Sequence, residues 1–130
     1  MRYYSLILFF LVALFVFSGC AAARVIQVTE ADKERSITMH VGDRLEIVLQ
    51  GNPTTGYLWK IEPWDVDVIG QIGEAVYKAD SNRMGSGGQY TFSFGAAQKG
   101  KTDLRWVYLR PFERKVVPAK SFEIHVIVSE

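Results

Sequence analysis

Hydrophobic and polar positions alternate with a period of two along most of this chain. Ile37, Met39 and Val41 are interleaved with Ser36, Thr38 and His40, and Leu45, Ile47 and Leu49 with Arg44, Glu46 and Val48. The pattern recurs at Tyr57, Trp59 and Ile61, at Tyr90, Phe92 and Phe94, at Leu104, Trp106 and Tyr108, and at Phe122, Ile124, Val126 and Val128. Successive side chains of a strand point to opposite faces, so each run predicts a strand with one buried face. The aromatic and β-branched residues filling these runs suit a pleated, half-buried surface. Further strands are predicted near Val25 to Thr29 and between Val66 and Tyr77, the latter interrupted by Gly70 and Gly73. Turn residues separate the runs: Val41-Gly42-Asp43, Gly51-Asn52-Pro53, Ser81-Asn82-Arg83 and Lys99-Gly100-Lys101. Short strands punctuated in this way predict an all-β fold, an Ig-like β-sandwich of about seven or eight strands, rather than βαβ units. No stretch after residue 20 sustains a helical period over three turns.

The first twenty residues follow another rule. Arg2 precedes an apolar stretch from Leu6 to Phe17, which ends in Phe17-Ser18-Gly19-Cys20. That order fits a bacterial secretion signal, which is set aside from fold reasoning. Small residues leading into a cysteine resemble a lipobox, in which Cys20 is the lipidation site and the first residue of the mature chain. Two acyl chains are enough for stable membrane anchoring. An uncleaved membrane anchor and an ordinary cleaved signal are the other readings of the segment. All three put the folded part outside the cytoplasm, as an exported domain that is periplasmic or at the cell surface. The expected organisation is a signal peptide over 1–19, a lipidated cysteine and short tether over 20–23, and one domain over 24–130.

Composition narrows the chemistry. Setting aside residues 1–19 of the 130 leaves 111, the size of one domain. Those 111 hold fourteen basic and fourteen acidic side chains, a balance that gives no electrostatic reason to expect nucleic-acid binding. Cys20 is the sole cysteine, so there is no disulfide to form and, once acylated, no thiol for catalysis, metal or redox chemistry. His40 and His125 are the two histidines, and both fall on the polar phase of predicted strands. No metal-ligand spacing is present, and no cofactor is expected. Asp65 and Asp67 share a strand phase, but solvated edge carboxylates are the commoner reason for such a pair. No catalytic constellation can be assembled, and the chain reads as a non-enzyme.

Three connections have compositions that exceed the needs of a turn. The first is Gly51-Asn52-Pro53-Thr54-Thr55-Gly56. Pro53 fixes its own φ and biases Asn52 toward extended backbone, while Thr54 and Thr55 place hydroxyls and methyls at the tip. The second is Met84-Gly85-Ser86-Gly87-Gly88, where three glycines predict a flexible tip whose bare backbone can enter a narrow cleft. It fits neither a phosphate loop nor a serine-nucleophile elbow, because a strand follows it and the spacing is wrong. The third is Arg110-Pro111-Phe112-Glu113, an aromatic beside an arginine on a proline-stiffened loop, a composition favoured at interface anchors. Taken singly, each also reads as a stiff turn, a floppy linker or an edge loop.

In their order, Asn52-Pro53-Thr54-Thr55-Gly56-Tyr57, Gly85-Ser86-Gly87-Gly88 and Arg110-Pro111-Phe112 resemble the three signature segments of the chagasin-like inhibitors of cysteine peptidases. The resemblance covers roughly Val25 to Ser129, and the Asn-Pro-Thr-Thr-Gly-Tyr string is its most specific part. It implies an Ig-like fold with three loops aligned at one end as a wedge, and a papain-like cysteine peptidase as partner. The glycine-rich loop would lie along the catalytic cleft, Thr54 and Thr55 near the catalytic residues, and Arg110 and Phe112 against the far wall. Inhibition would be reversible and non-covalent, by an inhibitor that is monomeric when unbound. One departure is Phe112, where the family often has tryptophan; phenylalanine keeps stacking surface but loses area and the indole donor. The competing reading is an Ig-like adhesion or envelope-assembly module that uses the same loops for another protein or a glycan.

Overall fold

The alternating runs become strands of two packed sheets. The computed structural model describes Gly19 and residues 22–130; the expected signal peptide as far as residue 18 and Cys20 lie outside the described residues. Nine strands follow one another: β1 (Val25–Thr29), β2 (Ser36–His40), β3 (Arg44–Gly51), β4 (Leu58–Ile61), β5 (Ile69–Gln71), β6 (Val76–Ala79), β7 (Gly88–Ala96), β8 (Gly100–Leu109) and β9 (Lys120–Ser129). One sheet has the order β1-β3-β7-β5, with β6 also pairing β7; the other has the order β2-β9-β8-β4. Two pairings are parallel, β1 with β3 and β2 with β9.

The extra strand relative to the sequence expectation arises between Val66 and Tyr77. The chain turns at Gly73, with φ of 68°. This splits the expected single strand into β5, which pairs with the far end of β7, and β6, which pairs with its beginning. β7 and β8 also start earlier than the alternation predicts, at Gly88 and Gly100.

The core lies between the sheets and matches the predicted phase. Leu45, Ile47, Leu49, Phe92 and Phe94 face it from the first sheet, and Leu104, Trp106, Phe122, Ile124, Val126 and Val128 from the second. Fully burying an aliphatic or aromatic side chain is worth about 1.5–3 kcal/mol, so this face fixes the register of every central strand. Trp106 joins the two sheets, with ring centroids 5.4 Å from Phe92, 5.8 Å from Phe94 and 5.9 Å from Phe122. Among the described residues its buried indole Nε1 has no hydrogen-bond partner.

One acid is used structurally. The Asp43 carboxylate accepts the backbone N–H of His40 at 2.9 Å and that of Arg24 at 3.2 Å. Those bonds, the His40 amide first and then Arg24, hold its pKa below the usual carboxylate value. They tie the entry of β1 to the β2–β3 turn at the end of the sandwich opposite the β3–β4 loop. The sequence pattern marks Asp43 only as a turn residue.

Candidate functional site

The three predicted loops meet at one end of the sandwich because of the strand pairing beneath them. β3 and β7 run antiparallel with Gly51 opposite Gly88, which brings the end of the first loop's stem against that of the second. β4 and β8 pair Leu58 with Leu109, which sets the third loop beside the first.

Pro53–Thr55 form a single 3-10 turn with Asn52 as its N-cap and Gly56 ending it at φ of 80°. Asn52 Oδ1 accepts the N–H of Thr54 at 3.1 Å and the Thr54 hydroxyl at 2.6 Å. The Thr55 hydroxyl donates to the Asn52 carbonyl at 2.6 Å. The hydroxyls expected at the tip are therefore spent on bracing the loop, and both threonines remain exposed. Asn52 also reaches outward. Its Nδ2 donates to the Gly85 carbonyl at 2.9 Å, and its backbone N–H donates to the Tyr108 hydroxyl at 2.8 Å. A single residue thus connects the first loop to the second and to the base of the third.

The third loop is fastened by Arg110. Its Nε donates to the Thr55 carbonyl at 3.1 Å, its guanidinium lies 4.5 Å above the Tyr57 ring, and its Nη1 meets Glu113 at 3.2 Å. Phe112 is 72% exposed, yet one edge of its ring rests against Gly56. The left-handed turn requires glycine there, and a Cβ would also stand 3.0 Å from that ring, so the exposed Phe112 side chain would have to shift. Pro111 is exposed between these anchors.

The second loop is a tied turn rather than the flexible tip that its composition predicts. Asp80 N–H donates to the Gly87 carbonyl at 2.9 Å, Ser86 N–H to the Arg83 carbonyl at 3.2 Å, and Ser81 N–H to Ser86 Oγ at 3.3 Å. Gly85 has φ of 77° and is exposed, and Met84 at the tip is 97% exposed. Gly88 differs from its neighbours. It is buried inside β7, and a Cβ there would stand 2.2 Å from the Lys78 carbonyl oxygen. Its glycine is required by the β6–β7 approach, whereas Gly85, Ser86 and Gly87 carry the accessible part of the loop.

Beneath the loops, Tyr108 stacks on Tyr57 at 5.2 Å and packs against Trp59 at 4.9 Å. The Trp59 indole N–H donates to the Gln50 carbonyl at 2.9 Å, and Lys120 sits 5.0–5.1 Å from the Tyr108 and Trp59 rings. Tyr108 is the supporting residue that sequence reasoning missed. Its place on the buried phase of β8, one residue from the strand's end, is the signal that could have marked it.

Elsewhere some titratable groups pair with one another. Asp103, Glu123 and His125 have ligand-type atoms within 4.8 Å on the outer face of β8 and β9. His125 Nδ1 is 2.6 Å from Asp103, and Arg105 lies 3.6 Å from Glu123, so the group is a surface ion-pair network distant from the loops. His40 is exposed beside Asp43 at the opposite end.

A family model described as chagasin family peptidase inhibitor I42 matches residues 38–126. The chain is 34% identical to amoebiasin-1 of Entamoeba histolytica over 87 residues, which is 65% of this chain and 81% of that one. It is 26% identical to chagasin of Trypanosoma cruzi over 104 residues, 77% of this chain and 94% of that one. A crystal structure of a cysteine protease inhibitor from Entamoeba histolytica matches with a TM-score of 0.74 at 24% identity, covering 83% of this chain and 98% of its own. That likeness establishes a shared fold.

Asn52→Ala removes the cap and the bond to Gly85 together, and is expected to cost about 1–2 kcal/mol in urea unfolding. Amide exchange at residues 85–87 should accelerate with it. Asn52→Asp keeps the capping oxygen but not the donor, so it should restore most of the stability while leaving the second loop fast-exchanging. Equal exchange in parent and both variants would disprove the coupling. At the ion-pair network, the hydrogen bond from protonated His125 to Asp103 raises the histidine pKa, with smaller help from Glu123 and Glu34. The stabilisation is therefore complete below the unfolded histidine pKa of about 6.5 and is lost as pH rises through the higher folded value. Melting temperature measured from pH 5.5 to 8.5 should fall more steeply in the parent than in His125→Gln, and Asp103→Asn should flatten the same slope.

Proposed function

This chain belongs to the chagasin family of peptidase inhibitors, and on that premise we propose that its three loops form the wedge that closes the active-site cleft of papain-like cysteine peptidases. The observation carrying this reading is the Asn52 hub, which joins the β3–β4 loop to the β6–β7 loop and to the tyrosine beneath the β8–β9 loop. A cleft that binds extended peptide accepts bare backbone, and Gly85, Ser86 and Gly87 offer it at the centre of the ridge. Asn52, Pro53, Thr54, Thr55 and Gly56 flank that centre on one side. Arg110, Pro111 and Phe112, clamped to Thr55 and Gly56, extend the same flank. Gly88 supports the ridge from within β7.

Inhibition by such a surface is occlusion. The loops carry no cysteine and offer no group that would form a covalent bond with the peptidase. Bracing before contact lowers the ordering cost of association, which is the main loss that loops incur on binding. A standard inhibitor interface buries about 1,600 Å² in total, an area within reach of three loops. The adhesion-module alternative gains nothing from the geometry.

The N-terminal reading stands beside this one. Cys20 is acylated, and the domain is held at a membrane outside the cytoplasm by a short tether. The domain is entered at Val25, which pairs with Arg44 at the end of β3 remote from the loops. An anchored domain would therefore turn its loops away from the lipid surface.

Two experiments test these readings. Titrating the purified protein against active papain, with a small fluorogenic substrate, should give tight, reversible inhibition with the inhibitor left uncleaved. Phe112→Ala should weaken it by about 2 kcal/mol, or roughly thirtyfold, while the unfolding midpoint stays near the parent's. Undiminished inhibition would remove Phe112 from the site, and no inhibition of papain or a cathepsin L-like enzyme at micromolar concentration would overturn the reading itself. For the anchor, cells fed labelled palmitate should label the parent protein and not Cys20→Ala; label that persists in the variant would rule out Cys20 as the acceptor.

A further inference from the structure

Charge is unevenly divided between two of the wedge loops and the rest of the domain. Residues 20–130 are balanced at fourteen basic and fourteen acidic side chains. The two charged loops at the wedge end, residues 80–87 and 110–120, hold Arg83, Arg110, Arg114, Lys115 and Lys120 against Asp80 and Glu113 alone. The remainder of residues 20–130 is left with nine basic and twelve acidic side chains. The β3–β4 loop between them carries no charge.

Pairing leaves three of these cations without a partner, against Asp80 as the one acid of the two loops outside an ion pair. Arg110 meets Glu113 at 3.2 Å and Lys120 meets Glu30 at 3.1 Å, so both are committed within the molecule. Arg83, Arg114 and Lys115 are exposed, and among the described residues none of them has a carboxylate within ion-pair distance. Arg114 and Lys115 directly follow the Arg110–Phe112 anchor. They therefore belong to the rim of the docking surface rather than its centre. Charges at a rim act mainly on encounter, accelerating association with an oppositely charged partner and changing dissociation little.

Resting on the reading of the loops as an inhibitory wedge, we infer that the natural target is a cysteine peptidase whose cleft is rimmed by carboxylates on the side that receives the β8–β9 loop. The unpaired cations Arg114 and Lys115 draw that acidic rim toward the wedge, and Arg83 on the β6–β7 loop adds to the field. Selection among peptidases of one mechanism is then made by approach rate, because the apolar and backbone contacts of the loops suit the shared cleft.

The test compares association and dissociation rates, from inhibition progress curves, for two papain-like peptidases of opposite cleft-rim charge. With the acid-rimmed enzyme, the parent protein should associate about tenfold faster at roughly 20 mM than at 200 mM salt. Arg114→Glu combined with Lys115→Glu should abolish that dependence and slow low-salt association about tenfold, with dissociation within about twofold of the parent. The neutral pair Arg114→Gln and Lys115→Gln should show a smaller loss in the same direction, a safeguard should the reversed charges disturb the loop. The base-rimmed enzyme should associate more slowly at low salt. Association with both enzymes that ignores salt and substitution would overturn the inference while leaving the inhibitor reading intact. Vesicles of phosphatidylglycerol that bind the parent and release the double variant would also overturn it, by reassigning the cations to a lipid surface. Failure of the parent to inhibit either enzyme would overturn the inhibitor reading and this inference with it.

Discussion

The side-chain amide of Asn52 is shared between two loops, while its backbone N–H is held by a tyrosine at the foot of the third. An amide suits this position because it carries an acceptor and a donor a short distance apart. The oxygen caps the turn of its own loop and the nitrogen reaches across to Gly85. A serine or aspartate would cap equally well but would leave the neighbouring carbonyl without its donor. The relative position of the loops is thereby written into hydrogen bonds, before any partner contributes.

That arrangement depends on close approach lower down. Gly51 stands opposite Gly88, and side chains on either would collide with Tyr90 and with the β6 backbone respectively. Their absence lets β3, β6 and β7 converge, so that Asn52 and Gly85 come within reach of each other. On the other sheet the stack of Tyr57, Tyr108 and Trp59, covered by Lys120 and Arg110, fills the space under the loops. Cations over aromatic faces add to packing at partly exposed sites. The rigidity of the ridge is thus a property of its aromatic floor as much as of its own bonds.

Much of this was legible in the sequence. The period-two runs gave the strand faces and most of the core, because burial on one side leaves a clear alternation. The string from Asn52 to Tyr57 and the Arg-Pro-Phe segment marked two of the loops that strand pairing brings to one end of the sandwich. What escaped was set by long-range geometry. Composition alone reads Gly85 to Gly88 as a floppy run, yet one glycine is locked inside a strand and the rest are bonded to residues 80 to 83. Tyr108 read as core, since nothing local distinguishes a tyrosine that only fills space from one whose hydroxyl serves a distant loop. The break at Gly73 was visible as an interruption, but its outcome, two strands sharing one partner, depends on the length of β7.

The two parallel pairings have a consequence for how the molecule is made. β2 hydrogen-bonds to β9, so Ser36 waits for His125 before it has a neighbour. β8, in turn, has its longest pairing with β9. Until that strand has been synthesised the second sheet is only a β4–β8 ribbon, and the core face of the first sheet has little to cover it. Contacts so distant in sequence are slow to form because the intervening loop must be closed first. The domain therefore lacks a complete two-sheet core until nearly all of it has been synthesised.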